Sequence, residues 1–154
     1  DIACATADGA LLYERTNAIH PTITAVDFNP CFKDQLFFVH LNQKQDSQQA
    51  VVAFDNGELT PQKMKIISGL TQSFLSNLIL MDFQELMTQH EAIIASLINA
   101  TPIQKLLFND YPGTIKSLGA WGGDFILACG AANTPDYFAH KGYKTCLTYQ
   151  SLIV

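Results

Sequence analysis

With 154 residues, 48% apolar and 15% charged, the chain is long enough for one compact core and too apolar for a disordered segment. Its net charge of -5, with no run of Lys or Arg, argues against a nucleic-acid partner, because phosphate backbones are met by basic faces. The longest apolar-rich stretch, Leu75 to Met81, is far too short to span a bilayer as a helix, so no membrane association is expected.

Small residues crowd the first segment, where Ala3, Ala5 and Ala7 suit close packing. Leu11 to Thr16 reads as a strand. Thr22 to Phe28 alternates and is β-branched, which predicts a second strand closed by the Asn29-Pro30 turn. Leu36-Phe37-Phe38-Val39, within Gln35 to Leu41, predicts a short buried strand. Asp46-Ser47 is a cap for a short helix from Gln48 to Phe54, and Ser47 is read as that cap rather than as a ligand. Thr60-Pro61 starts a helix with Pro at its first position, carrying Ile66, Ile67, Leu70, Phe74, Leu75 and Leu78 at helical spacing. Asp82 starts the next, with Phe83, Leu86, Met87, His90, Ile93, Ile94 and Leu97 on one face. Thr101-Pro102 starts a third, to about Phe108.

The last third changes to turns and strands. Tyr111-Pro112-Gly113 is a turn, Thr114 to Ser117 a strand, and Asp124 to Cys129 another. Thr134-Pro135 opens a helix through His140 that Lys141-Gly142 stops, and Lys144 to Tyr149 is the last strand. From residue 35 the order is strand, helices, strand, strand, helix, strand. That is the split βαβ pattern of a ferredoxin-like α+β fold, with the helices expected on one face of an antiparallel sheet. The first two strands are expected to belong to a neighbouring sheet.

Cys4, Cys31, Cys129 and Cys146 form no CxxC pair and have no His at zinc-finger spacing. Each lies among apolar neighbours, which predicts buried, reduced thiols in a cytoplasmic protein; a disulfide between two of them stays open. His20, His40, His90 and His140 share no ligand spacing, so no metal site is expected. No charged segment leads into an apolar one at the start, so no secretory leader is expected.

The segment with the most chemical content is Lys116-Ser117-Leu118-Gly119-Ala120-Trp121-Gly122-Gly123-Asp124. Three glycines in a strand-loop-strand hairpin leave backbone N–H groups uncovered, and successive N–H groups can form an anion-binding concavity. A strand follows the loop. The dinucleotide and P-loop patterns both need a helix there. A tight hairpin with purely structural glycines is the plain alternative.

This segment is similar to the third conserved motif of the galactokinase, homoserine kinase, mevalonate kinase and phosphomevalonate kinase (GHMP) superfamily. Lys116, Ser117, Gly119, Ala120, Gly122, Gly123 and Asp124 fit that motif. Leu118 stands where Ser or Thr is usual, and Trp121 where the middle glycine is usual. Asp1-Ile2-Ala3-Cys4-Ala5 resembles a Gly-Tyr-Asp-Ile-Ala segment of phosphomevalonate kinase relatives, and the order of elements agrees through essentially the whole chain.

The resemblance implies a kinase C-terminal domain at 34–154, preceded at 1–33 by a hairpin that ends the N-terminal domain. In this chain Asp1 would orient or deprotonate the acceptor, and Gly119 to Gly123 would shape the substrate pocket. Lys116 would neutralise charge or brace the loop. Lys44 is either a phosphate or substrate contact ahead of a helix N-terminus or a solvated loop lysine. The family's main ATP loop has no counterpart here. ATP and Mg²⁺ would therefore be held mostly by an N-terminal domain, and this chain alone would be nearly inactive. The implied acceptor is a mevalonate-type or phosphorylated small molecule of isoprenoid biosynthesis, and a homodimer is a further candidate assembly. A non-catalytic ferredoxin-like ligand-binding or dimerisation module is the alternative.

Overall fold

In the computed structural model the described residues are 2–15, 20–43, 59–76, 78–119, 121 and 124–152. Asp1, Lys44, Ala120, Gly122 and Gly123, and the helix expected over Gln48 to Phe54 with its cap Ser47, lie outside them. The described chain is α+β, built on two antiparallel sheets.

A short helix α1 (Ile2–Ala5) precedes strands β1 (Leu11–Glu14) and β2 (Thr22–Ala25), which pair antiparallel with Leu11 opposite Ala25 and Glu14 opposite Thr22. Both strands are shorter than their sequence patterns suggest. All four β2 residues are exposed, so neither face of that strand is packed against a layer that would prolong it.

The second sheet holds β3 (Leu36–His40), β4 (Thr114–Ser117), β5 (Phe125–Cys129) and β6 (Cys146–Thr148), in the spatial order β4-β5-β3-β6. Every neighbouring pair is antiparallel. Between β3 and β4 run α2 (Pro61–Ser73), α3 (Leu80–Leu97) and α4 (Ile103–Leu107); α5 (Thr134–His140) links β5 to β6. The last expected strand is three residues long: it starts only at Cys146, and at its other end Tyr149 begins a turn of helix, α6 (Tyr149–Leu152).

Local chemistry sets the helix ends. The Thr60 hydroxyl accepts from the Lys63 N–H at 3.2 Å, and Pro61 follows at the first helical position. These are the cap and the pre-set φ that a helix start favours. α3 begins at Leu80, two residues before Asp82. Asp82 therefore sits in the first turn, where a carboxylate favours the positive end of the helix dipole. The helix ends with Asn99 in the left-handed region and the Ala100 N–H donating back to Ala95 O at 2.9 Å, a Schellman closure.

The core lies on both sheet faces. Phe37, Val39, Leu41, Ile115, Ile126 and Ala128 pack with Ile103 of α4 and Phe138 of α5. The alternate positions Leu36 and Cys129 pack with Phe32, Tyr149 and the α3 residues Phe83 and Met87. Helices thus cover both faces, where the sequence reading placed them on one. The reason is legible in β3. Leu36-Phe37-Phe38-Val39 is apolar at every position, and a strand apolar on both sides needs cover on both sides.

Candidate functional site

The site is the loop that joins β4 to β5, with the part of α3 that runs beside it. Strand β4 lies at the edge of the sheet, so two of its N–H groups have no strand partner. Side chains take them. The Ile115 N–H donates to Gln104 Oε1 at 2.8 Å, and the Ser117 N–H donates to Glu91 Oε2 at 3.0 Å. Gln104 also donates through Nε2 to Gly113 O at 2.9 Å. An edge satisfied this way offers little to a second sheet.

Ser117 is the last strand residue before the glycines, and each of its polar atoms is held. Its hydroxyl donates to Glu91 Oε1 at 2.8 Å, and its carbonyl accepts from Lys116 Nζ at 3.0 Å. Glu91 is 3% exposed and Ser117 1%, and Glu91 is the one charged side chain in the core among the described residues. Burial lowers the pKa of the Lys116 ammonium, and the Glu91 carboxylate opposes that shift. His90, the neighbour of Glu91 on α3, is pushed down to about 4, first by burial and then by the charge of Lys116. Its Nδ1 is buried without a hydrogen-bond partner, as is the indole Nε1 of Trp121.

The loop turns through the left-handed region at Gly119 (φ 59°) and again at Trp121 (φ 55°). Glycine adopts that conformation freely; a bulky residue there is uncommon and strained by roughly 1–3 kcal/mol. The Leu118 N–H closes the hairpin on Phe125 O at 3.2 Å, and Asp124 O accepts from the Leu41 N–H at 2.8 Å. The Asp124 side chain is exposed. Beside the outer edge of β4 a cleft of about 370 Å³ opens between α3 and α4, lined by Thr88, Glu91, Gln104, Lys105, Asn109 and Thr114 among others.

Of the residues singled out from sequence, Lys116, Ser117, Gly119 and Asp124 lie on this hairpin. Lys116 turns onto the neighbouring carbonyl of Ser117. Trp121 is half-buried. Glu91 was missed, and its signal was available: it falls four residues after Met87 and four before Ala95, on the buried stripe of α3. A charge on an apolar helical face needs a partner. Two expected buried thiols are overturned. Cys4 and Cys31 are exposed, whereas Cys129 is buried and Cys146 half-buried; all four are free. Apolar neighbours along the chain do not bury a residue that sits on a loop or a short terminal helix. Burial pushes the Cys129 thiol up to about 12 and the Cys146 thiol up to about 11.

Among the described residues no group of three or more His, Cys, Asp or Glu side chains is placed to hold a metal ion. No helix there is long and apolar enough to cross a membrane. No family model, curated protein or solved structure matches the chain.

Proposed function

We propose that this chain is the C-terminal portion of an ATP-dependent small-molecule kinase of the GHMP type. It would transfer the γ-phosphoryl group to a mevalonate-type or phosphorylated acceptor. The observation that carries the reading is the β4–β5 turn. Left-handed backbone at Gly119 and Trp121, between Lys116 and Asp124, is what a glycine motif at these positions supplies. Trp121, the departure from the motif, has a φ of 55°, a conformation that glycine adopts freely. The order β4-β5-β3-β6 supports a ferredoxin-like split βαβ domain at 34–154: counting these strands along the chain, they lie second, third, first, fourth.

Phosphoryl transfer is accelerated mainly by positioning and charge stabilisation. In this reading the loop amides face phosphate oxygens, and Lys116 braces the loop through Ser117 O. Asp1 orients or deprotonates the acceptor. ATP and its Mg²⁺ are held largely by an N-terminal domain, to whose sheet β1 and β2 belong, in a cytoplasmic enzyme. The Mg²⁺ brings the charge neutralisation that such transfers use.

The test is transfer from Mg-ATP to a panel of hydroxy-acid and phosphorylated acceptors, using the gene product isolated from its source. Mass spectrometry of that material identifies any co-purifying segment that carries a glycine-rich ATP loop. Turnover that Asp1→Asn abolishes while ATP still binds is the expected result. No transfer to any acceptor, from material that contains such a loop, refutes the kinase.

A dimerisation module is the second reading. It is favoured by β2, exposed along its whole length, and by the exposed apolar side chains Ile23, Met64, Ile66, Ile79 and Met81. Sedimentation equilibrium distinguishes it: a concentration-dependent dimer without ATP turnover supports this reading, and a monomer removes it.

A further inference from the structure

We propose that Glu91 is the positioning residue at the base of the β4–β5 loop: its buried carboxylate fixes Ser117, so that Lys116 and the backbone from Ser117 to Gly119 keep one geometry toward a polyphosphate. The role toward a ligand rests on the kinase reading above; the role in loop order does not.

The argument starts from cost. A carboxylate taken out of water is unfavourable unless it is paired and hydrogen-bonded, and an apolar side chain of similar volume would often serve stability as well. Glu91 lies on the buried stripe of α3 with Phe83, Met87 and Ala95, where an apolar residue would continue the core. Both its oxygens are committed to a single residue, accepting from the Ser117 N–H at 3.0 Å and the Ser117 hydroxyl at 2.8 Å. The third polar atom of that residue, its carbonyl oxygen, accepts from Lys116 Nζ at 3.0 Å. Two opposite charges therefore grip one residue from two sides, through the two peptide units that flank its Cα. That residue is the last of β4, two before the first glycine of the loop. Two residues on, the backbone enters the left-handed region at Gly119. Glycine-rich backbone has many conformations to lose, so the orientation of its amides depends on how firmly its ends are held. At the other end the loop is tied by the Leu41 N–H to Asp124 O at 2.8 Å, a main-chain bond from the strand extension.

The pairing is also selective. Charge-assisted hydrogen bonds are shorter and stronger than neutral ones. A Gln at position 91 keeps the shape and one acceptor but loses the charge and the second acceptor.

The test uses the 154-residue chain and its one tryptophan, Trp121. Amide hydrogen exchange is followed at Ser117 and Leu118, with Ile126 and Ala128 as core references. Acrylamide quenching of Trp121 gives a spectroscopic reading of loop order, and inorganic tripolyphosphate is the ligand probe. Glu91→Gln is expected to raise exchange at Ser117 and Leu118 about tenfold with the references unchanged, to increase quenching, and to weaken tripolyphosphate binding about tenfold. Ser117→Ala, which removes only the hydroxyl, should show the same pattern to a smaller degree and carries the test if Glu91→Gln does not fold. Equal loop exchange and equal quenching in the variants and the native chain overturn the proposal. So does a change spread evenly over loop and references, which is the signature of a plain core residue. A native chain indifferent to tripolyphosphate, whose loop Glu91→Gln still loosens, upholds the positioning role and overturns the phosphate reading.

Discussion

Acidification should destabilise this protein through His90, and the sign follows from the geometry. Burial, and then the charge of the Lys116 ammonium, lower the pKa of the imidazole from the ordinary 6.5 to about 4. The folded chain thus holds a neutral ring at pH values where the unfolded chain holds a cation. Between pH 6.5 and 4 the unfolded state binds more protons, so stability is full above pH 6.5 and declines as the pH falls toward 4. Each pH unit of that interval corresponds to about 1.4 kcal/mol, which sets a ceiling of about 3 kcal/mol. The ring is only half-buried, so solvent screening lowers the expected loss to about 1–2 kcal/mol. The assay is urea unfolding at pH 7.0, 6.0, 5.0 and 4.5 for the native chain and for His90→Gln, which suits a helix and does not titrate. The native chain should lose about 1–2 kcal/mol more than the variant over this range. Parallel stability curves would refute the reasoning, as would an imidazole titrating near 6.5 by NMR.

Three further outcomes are expected. The Tyr111 hydroxyl shares a hydrogen bond of 2.8 Å with Thr134 Oγ1, and a Cβ placed on Gly130 would run into that hydroxyl. Gly130→Ala should therefore cost about 1–3 kcal/mol by overpacking, and Tyr111→Phe about 1–2 kcal/mol by leaving Thr134 unpaired. The double variant should be more stable than the two costs added together predict; strict additivity in thermal unfolding would show that the clash is absorbed elsewhere. Gln104→Ala frees the Ile115 N–H on the edge strand and the Gly113 O just before it, and should cost about 1–3 kcal/mol and promote association. Chemical denaturation and light scattering check both parts, and unchanged values would remove Gln104 from edge protection. Under native conditions iodoacetamide should modify Cys4 and Cys31 quickly and Cys129 only after unfolding, since the thiolate is the reacting form and burial raises the Cys129 pKa. Peptide mass spectrometry reads this directly, and early labelling of Cys129 would contradict its burial.

The β-strands and helices of the second sheet were legible because their signals are local. Thr60-Pro61 caps and pre-sets a helix, and the alternation in Thr114 to Ser117 reports one buried side. Boundaries slipped where the deciding partner was distant. β2 ends at Ala25 and is exposed along its whole length, so little burial favours its extension as far as Phe28. Phe28 instead joins the aromatic group around Phe83 and Tyr149, and its carbonyl accepts from the Tyr149 hydroxyl at 2.6 Å. At the loop, sequence named Lys116, Ser117 and the glycines, which stand together in the chain. It passed over Glu91, which lies 26 residues before Ser117 and meets it only when α3 docks beside β4.

The sequence by itself determined an α+β chain, an order of strand and helices, and a glycine hairpin with a lysine at its base. These follow from hydrophobic period, capping chemistry and the conformational freedom of glycine, all of which act over a few residues. Only the tertiary structure decided which faces of the sheet are covered, which cysteines are exposed, and which charge is buried against the loop. Those depend on desolvation and on hydrogen bonds between segments far apart in the chain. A buried carboxylate and an exposed one have the same letter in the sequence, and differ only in what folding brings to them.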